Sequence, residues 1–269
     1  MPATFLYRFV FPLLAGIFLL VFPASTDALE PGEFDAAPWS KLLERFVTPQ
    51  GVDYAAWKAH GTKDLDAWLA LAAKHDIHST LAKEPKAAFL INVYNAWAVR
   101  QVLDHYPLAS ASEIPGFHDA NALPVAGSER TLAILEADLM KLMKQTPGVV
   151  FALAPASEGM PRLRSTAYTA DGLHREITEN ASAYFAAVGL GLDKESKTLR
   201  LPPQFETHRE LFDALERGIA GYLSDFISLS DVVEIATGDP ARETIAVSAA
   251  LNDAAKAKNA TQEKPADGQ

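Results

Sequence analysis

Ala88-Phe89-Leu90-Ile91-Asn92-Val93-Tyr94-Asn95-Ala96-Trp97, running on to Leu103-Asp104-His105-Tyr106-Pro107, is the stretch from which the fold can be read. Apolar residues fall at nearly every phase of a 3.6-residue period, so the spacing predicts a helix over 84–105 buried on all sides. Its expected core positions include Phe89, Leu90, Ile91, Tyr94, Trp97, Val99, Val102 and Leu103, and Pro107 stops it. Such a helix must be wrapped by other elements. Two residues break the apolar pattern. Asn92 and Asn95 lie on one side of the helix, although Asn is a poor helix former. A buried amide without partners costs about 1–3 kcal/mol. Either these amides tie the helix to a neighbouring backbone, or they line a pocket and orient a ligand, with Glu136 and Arg164 as charged neighbours.

Upstream, Pro38 opens a short amphipathic helix over 39–47, residues 48–51 form a turn, and Thr62 is placed to cap a helix carrying Leu65, Trp68, Leu69 and Ala72. Downstream, residues 123–128 read as a hairpin with a glycine-containing turn, and Thr131 caps a helix reaching 144. The apolar run 149–154 reads as a buried strand, followed by a loop over 155–169 long enough to be a working surface. Asp171 is placed to cap a helix ended by Gly189. Strands are expected at 198–201 and 243–247, flanking a helix over 209–227. Helices dominate and strands are short, so the class is α+β: a single, mainly helical domain packed on a small sheet of short strands. The expected organisation is a leader over 1–28, a lead-in helix over 29–51, the main domain over 52–252 and a disordered polar tail over 253–269.

The leader begins with one positive side chain, Arg8, ahead of an apolar run over 9–22 interrupted by Pro12 and Gly16. That run is shorter than the roughly 20 residues a spanning helix requires. With small and polar residues leading to Ala28, it reads as a secretory signal cleaved after that residue, which implies export to the periplasm. The alternative is an uncleaved anchor, the one membrane association expected. A net charge of -10 argues against nucleic acid as a partner, because phosphate binding needs clustered Lys and Arg. The chain has no cysteine, which excludes a thiol nucleophile, Cys-bound zinc and a redox pair.

The stretch Ala88 to Ala96 with Leu103-Asp104-His105-Tyr106-Pro107 resembles the signature helix of domain-of-unknown-function family 547. Val52-Asp53-Tyr54 before it and Ile114-Pro115-Gly116-Phe117 after it fall in the family's order. So do Leu132 to Glu136, Phe151-Ala152-Leu153, Pro161-Arg162-Leu163 and Leu251-Asn252, and the resemblance spans 52–252. It implies a His where this chain has Val150, cysteines where it has Pro155 and Met160, and a further His at Ala137. It implies aromatic residues at Thr207, His208 and Ala249. The chain is thus similar to a divergent member. The family's Cys and His pattern invites comparison with papain-like thiol enzymes, so the resemblance implies a papain-like architecture with that chemistry lost.

Ser157, in Pro155-Ala156-Ser157-Glu158-Gly159, lacks the first glycine of a nucleophile elbow and has no His nearby in sequence. It reads as a loop serine, with catalysis as the sharper alternative. His75 and His78 stand three apart, and His105, Glu113 and His118 cluster around a turn, which makes His105 and His118 the metal candidates. No His-Glu-x-x-His motif supports them, and no cofactor is expected. The function expected is a non-catalytic binding or scaffold domain whose partner is a ligand or an envelope protein. The alternative is a hydrolase or transferase working through serine, carboxylate or metal.

Overall fold

The computed structural model describes residues 33–77 and 82–255; the leader, His78 and residues 256–269 lie outside them. Helices α1 (Ala37–Phe46), α2 (Tyr54–His60) and α3 (Thr62–Ala72) come first, with the two-residue strands β1 (Val47–Thr48) and β2 (Gly51–Val52) between α1 and α2. Trp39, Leu42, Leu43 and Phe46 recur at helical spacing and are all buried, while the Asp53 carboxylate accepts the Ala56 N–H at 3.0 Å and starts α2. Thr62 is not a cap. It is the first residue of α3, and its hydroxyl donates back to the Lys58 carbonyl (3.0 Å), because α2 and α3 meet at Gly61 with no intervening turn.

Helix α4 (Lys83–His105) is the centre of the molecule. From Ala87 to Leu103 almost every side chain is buried, as the apolar stretch requires, and α2, α3 and α5 pack around it. Strands β3 (Leu123–Val125) and β4 (Ser128–Arg130) then form the expected hairpin, and both turn residues, Ala126 and Gly127, have positive φ (50° and 75°). Helix α5 (Leu132–Leu142) is capped by Thr131, whose hydroxyl accepts the Ile134 N–H at 3.2 Å.

The run over 149–154 is not a strand. Pro147–Ala152 forms a fully buried 3-10 helix between α4, α5 and α6. Apolar continuity alone does not separate a buried strand from a buried helical turn. Here side-chain amides do what a neighbouring strand would do: Asn95 bonds the Ala152 carbonyl and the Ala154 N–H, and Asn180 bonds the Phe151 carbonyl. Helix α6 (Leu173–Val188) is not capped by Asp171 either. Glu176 reaches back to the Thr169 N–H (2.9 Å) and hydroxyl (3.0 Å), and the Thr169 hydroxyl accepts the Gly172 N–H (3.0 Å). Gly189 ends the helix at φ 73°.

The remaining sheet has β5 (Gly191–Asp193) antiparallel to β6 (Thr198–Leu201), and β6 parallel to a last strand. Four short helices lie between: α7 (Gln204–Thr207), α8 (Arg209–Asp213), α9 (Gly218–Leu223) and α10 (Leu229–Gly238), then β7 (Ala241–Thr244). The single helix expected over 209–227 is therefore split, with Gly218 at φ 54° between its halves; β7 begins two residues early, and β5 and α10 were not foreseen. The chain is still packed at the residue where the polar tail is expected to begin. Asp253 is buried and accepts the Tyr106 hydroxyl (2.8 Å), while the Tyr54 hydroxyl donates to Asn252 (2.7 Å), so the packed chain continues past 253.

The fold is α+β, with helices predominant and small sheets of short strands. Two apolar clusters fill it. One surrounds α4; the other gathers Phe151, α6 and the chain from β6 to α10, and Met140 packs against both. Among the described residues no helix is long and apolar enough to cross a membrane.

Candidate functional site

Asn92 and Asn95 are each 2 % exposed and each closed by backbone. The Asn92 amide donates to the Tyr168 carbonyl (2.8 Å) and accepts the Tyr168 N–H (2.9 Å). One turn on, Asn95 donates to the Ala152 carbonyl (3.0 Å) and accepts the Ala154 N–H (2.9 Å). These paired bonds tie α4 to the loop before α6 and to the 3-10 segment. Neither asparagine bonds Glu136 or Arg164. Arg164 lies over the Tyr168 ring at 5.2 Å and donates to the Glu176 carbonyl (3.2 Å) and the Glu179 carboxylate (3.3 Å).

The Ser157 hydroxyl donates to the Ser248 carbonyl (2.7 Å), which holds the segment before Leu251 against the loop. The turn cluster is not assembled as a ligand set. His105 Nδ1 meets the Gln101 carbonyl (3.0 Å), Glu113 accepts the Ala109 and Ser110 N–H groups, and His118 turns to Glu136. His75 packs between Phe34 and Phe89, with ring centroids 5.0 and 4.8 Å away, and burial pushes its pKa down. A surface hollow of about 560 Å³ lies beside Lys58 and Arg100. Their charges are already used: Lys58 donates to the Tyr106 carbonyl (2.6 Å), and Arg100 pairs with Asp66 and Asp104.

A cleft of about 260 Å³ around Glu136 is different. Glu136 stands on α5 beside the buried Leu132 and Leu135. His118 reaches it from the connection between α4 and β3, pinned by its carbonyl, which accepts the Ala133 N–H at 2.8 Å. His208 comes from the junction of α7 and α8. The two imidazoles address opposite oxygens of one carboxylate: His118 Nε2 at 2.9 Å from Oε2 and His208 Nε2 at 3.0 Å from Oε1. Burial alone would raise the Glu136 pKa, but the bonds from His118 and His208 outweigh it and hold the carboxyl down to about 2. The same bond, working against burial, raises the His118 pKa. Among the described residues no group of three or more His, Asp or Glu side chains is arranged to hold a metal ion.

Tyr94, 2 % exposed on α4, lines this cleft. Burial, helped by the Glu136 charge, pushes its phenol pKa upward, so it stays a hydroxyl. No hydrogen bond among the described residues ends on that hydroxyl, and it is not among their sealed, partnerless polar atoms. Val150, Leu153, Pro155 and Met160 supply an apolar wall, and Gln204 and Thr207 stand beside His208. Carboxylate-oriented imidazoles next to an open hydroxyl can donate hydrogen bonds to a guest or move a proton to it.

Residues 78–185 match the family model described as protein of unknown function, DUF547. This segment is of the DUF547 family. No curated protein and no solved structure matches the chain. The DUF547 segment carries Tyr94, His118, Glu136, Val150, Pro155 and Met160, whereas His208 comes from outside it. Three of the four positions at which the resemblance implies His or Cys, namely Val150, Pro155 and Met160, converge on this one cleft, while Ala137 does not line it. Tyr94 and His208 were not singled out as functional from the sequence. Tyr94 is hidden in an apolar helix. The only signal for His208 is that it stands where the resemblance expects an aromatic residue.

Proposed function

We propose that this DUF547 chain is an exported binding domain and that the Glu136 cleft holds its ligand without covalent chemistry. The observation that carries this reading is a partly buried carboxylate fixed between two imidazoles beside the open Tyr94 hydroxyl, in a largely apolar cleft. Polar groups converging in an apolar hollow are what a small-molecule site requires. Without cysteine no thiol step is available, and Ser157 already donates to a carbonyl. Export is supported by the apolar run over 9–22 and the small residues before Ala28.

Fragment screening by NMR on purified protein tests the reading, with an ester, amide and glycoside turnover panel run alongside. The expected result is saturable binding that shifts the Met160 methyl and the His118 and His208 ring signals, with no turnover. Turnover abolished by Glu136→Gln would replace binding with the hydrolase or transferase reading, in which Glu136 orients an imidazole as general base. N-terminal sequencing of the exported fraction is expected to begin at Leu29; an intact Met1 in the membrane pellet would make the leader an anchor.

A further inference from the structure

Each side-chain carboxylate and amide oxygen lining the Glu136 cleft already accepts a bond, while donors remain open. The two oxygens of Glu136 accept from His118 and His208, and Gln204 Oε1 accepts the Tyr184 hydroxyl at 3.2 Å. Among the described residues the Tyr94 hydroxyl makes no hydrogen bond, and Gln204 Nε2 meets only the weak acceptor Met160 Sδ at 3.3 Å. Each imidazole gains another N–H when protonated. A guest that matches this balance brings acceptors and no donors. The wall of Val150, Leu153, Pro155 and Met160 asks for an apolar body. At about 260 Å³ the space lies below the range of drug-sized pockets and suits a single ring or a short chain.

We propose, on the reading that this cleft is the ligand site, that the ligand is a small apolar monocarboxylate, its acid group bonded by the Tyr94 hydroxyl and the imidazole edges. Glu136 is then not a direct contact. It orients the two imidazoles, one on each oxygen, and its bond to His118 raises that ring's pKa. A second negative charge in the cleft favours the charged form of His118, so binding takes up a proton from solution. The groups facing the imidazoles are Glu136 from α5, Asp119 next to His118, and Tyr94 from α4, which remains protonated. Affinity for an acid should therefore tighten as the pH falls from 8 to 6, by at most about tenfold per pH unit for one proton.

Benzoate, benzamide and benzylamine share a ring and differ in charge, so titrating each into the full chain by calorimetry and NMR tests the assignment. Benzoate is expected to bind about tenfold or more tightly than the other two, and more tightly at pH 6 than at pH 8. Tyr94→Phe should weaken benzoate about tenfold with melting preserved. If that variant does not fold, Thr207→Trp, which blocks the rim from an exposed position, should abolish benzoate binding instead. Benzamide or benzylamine shifting the Met160 methyl at concentrations as low as benzoate would overturn the acid assignment and leave the cleft as a ligand site. If no probe moves the Met160, His118 or His208 signals at millimolar concentration, the cleft is not the site and both readings fall.

Discussion

On α4, Asn92 and Asn95 each grip one N–H and one C=O of a neighbouring segment, while Tyr94, about 160° around the helix from Asn92, turns to the cleft a hydroxyl that bonds nothing among the described residues. All three side chains are 2 % exposed. The asparagines are complete within the fold, so their burial binds helix to loop. Tyr94 is complete only if something enters the cleft. Burial of a polar group thus says little about its role; whether its bonds close inside the chain says more.

The sharpest way to break this comparison is to remove a tie. Asn92→Leu orphans the Tyr168 N–H and C=O, and Asn95→Leu orphans the Ala152 C=O and the Ala154 N–H, at about 1–3 kcal/mol per group. At about 2–4 °C per kcal/mol, thermal unfolding should show a loss of roughly 5–20 °C for either variant. Because the two asparagines hold different partners, the double variant should lose close to the sum. Unchanged melting in both would move the asparagines to the functional side of the comparison.

A smaller effect, with a pH signature, is expected for Glu136→Gln. The folded-state pKa of Glu136 lies below its ordinary 4.5, so its contribution is present above that value and is lost as the pH falls towards about 2. The His118 pKa is raised above 6.5, so its contribution is present below 6.5 and is lost as the pH rises through the folded value. The variant should be most destabilised relative to the parent between about pH 4.5 and 6.5, by on the order of 1–3 kcal/mol for charge-assisted bonds. Melting temperatures of both proteins across pH 3 to 9 check this, and a flat difference would show that the ring–carboxylate bonds add nothing.

Tyr94→Phe should separate binding from folding. Removing a hydroxyl without a partner should change stability by less than about 1 kcal/mol, while benzoate affinity falls. A large drop in melting temperature would mean that the hydroxyl is engaged in the fold, and α4 would then carry one kind of buried polarity rather than two. The smallest effect is expected for Ser157→Ala. It loses one exposed bond to the Ser248 carbonyl, costs about 1 kcal/mol or less, and leaves ligand titrations unchanged.

Helical periodicity made most of the first half legible: α1, α3, α4 and α5 follow from apolar spacing, and the β3–β4 hairpin from its Ala126-Gly127 turn. The misreadings share one physical cause. In the 3-10 segment over Pro147–Ala152 and before α6, backbone groups find side-chain partners that apolar spacing does not reveal, Asn95 and Asn180 for the first and Glu176 for the second, while at α3 the Thr62 hydroxyl turns back to the Lys58 carbonyl instead of capping. The second apolar cluster was read least well, because short helices such as α8 and α9 give too few residues for a period to emerge.

From the sequence alone came a buried α4, the burial of two amides at positions 92 and 95, the absence of any thiol chemistry and the segment that resembles DUF547. Those properties depend on composition and on spacing within one element. The tertiary structure decided that the amides close on backbone and that Tyr94, His118, Glu136 and His208 meet around one cleft. They stand on separate elements spread across more than a hundred residues of chain, so no local pattern relates them. Only packing two apolar clusters against each other brings His208 to the carboxylate that His118 already holds.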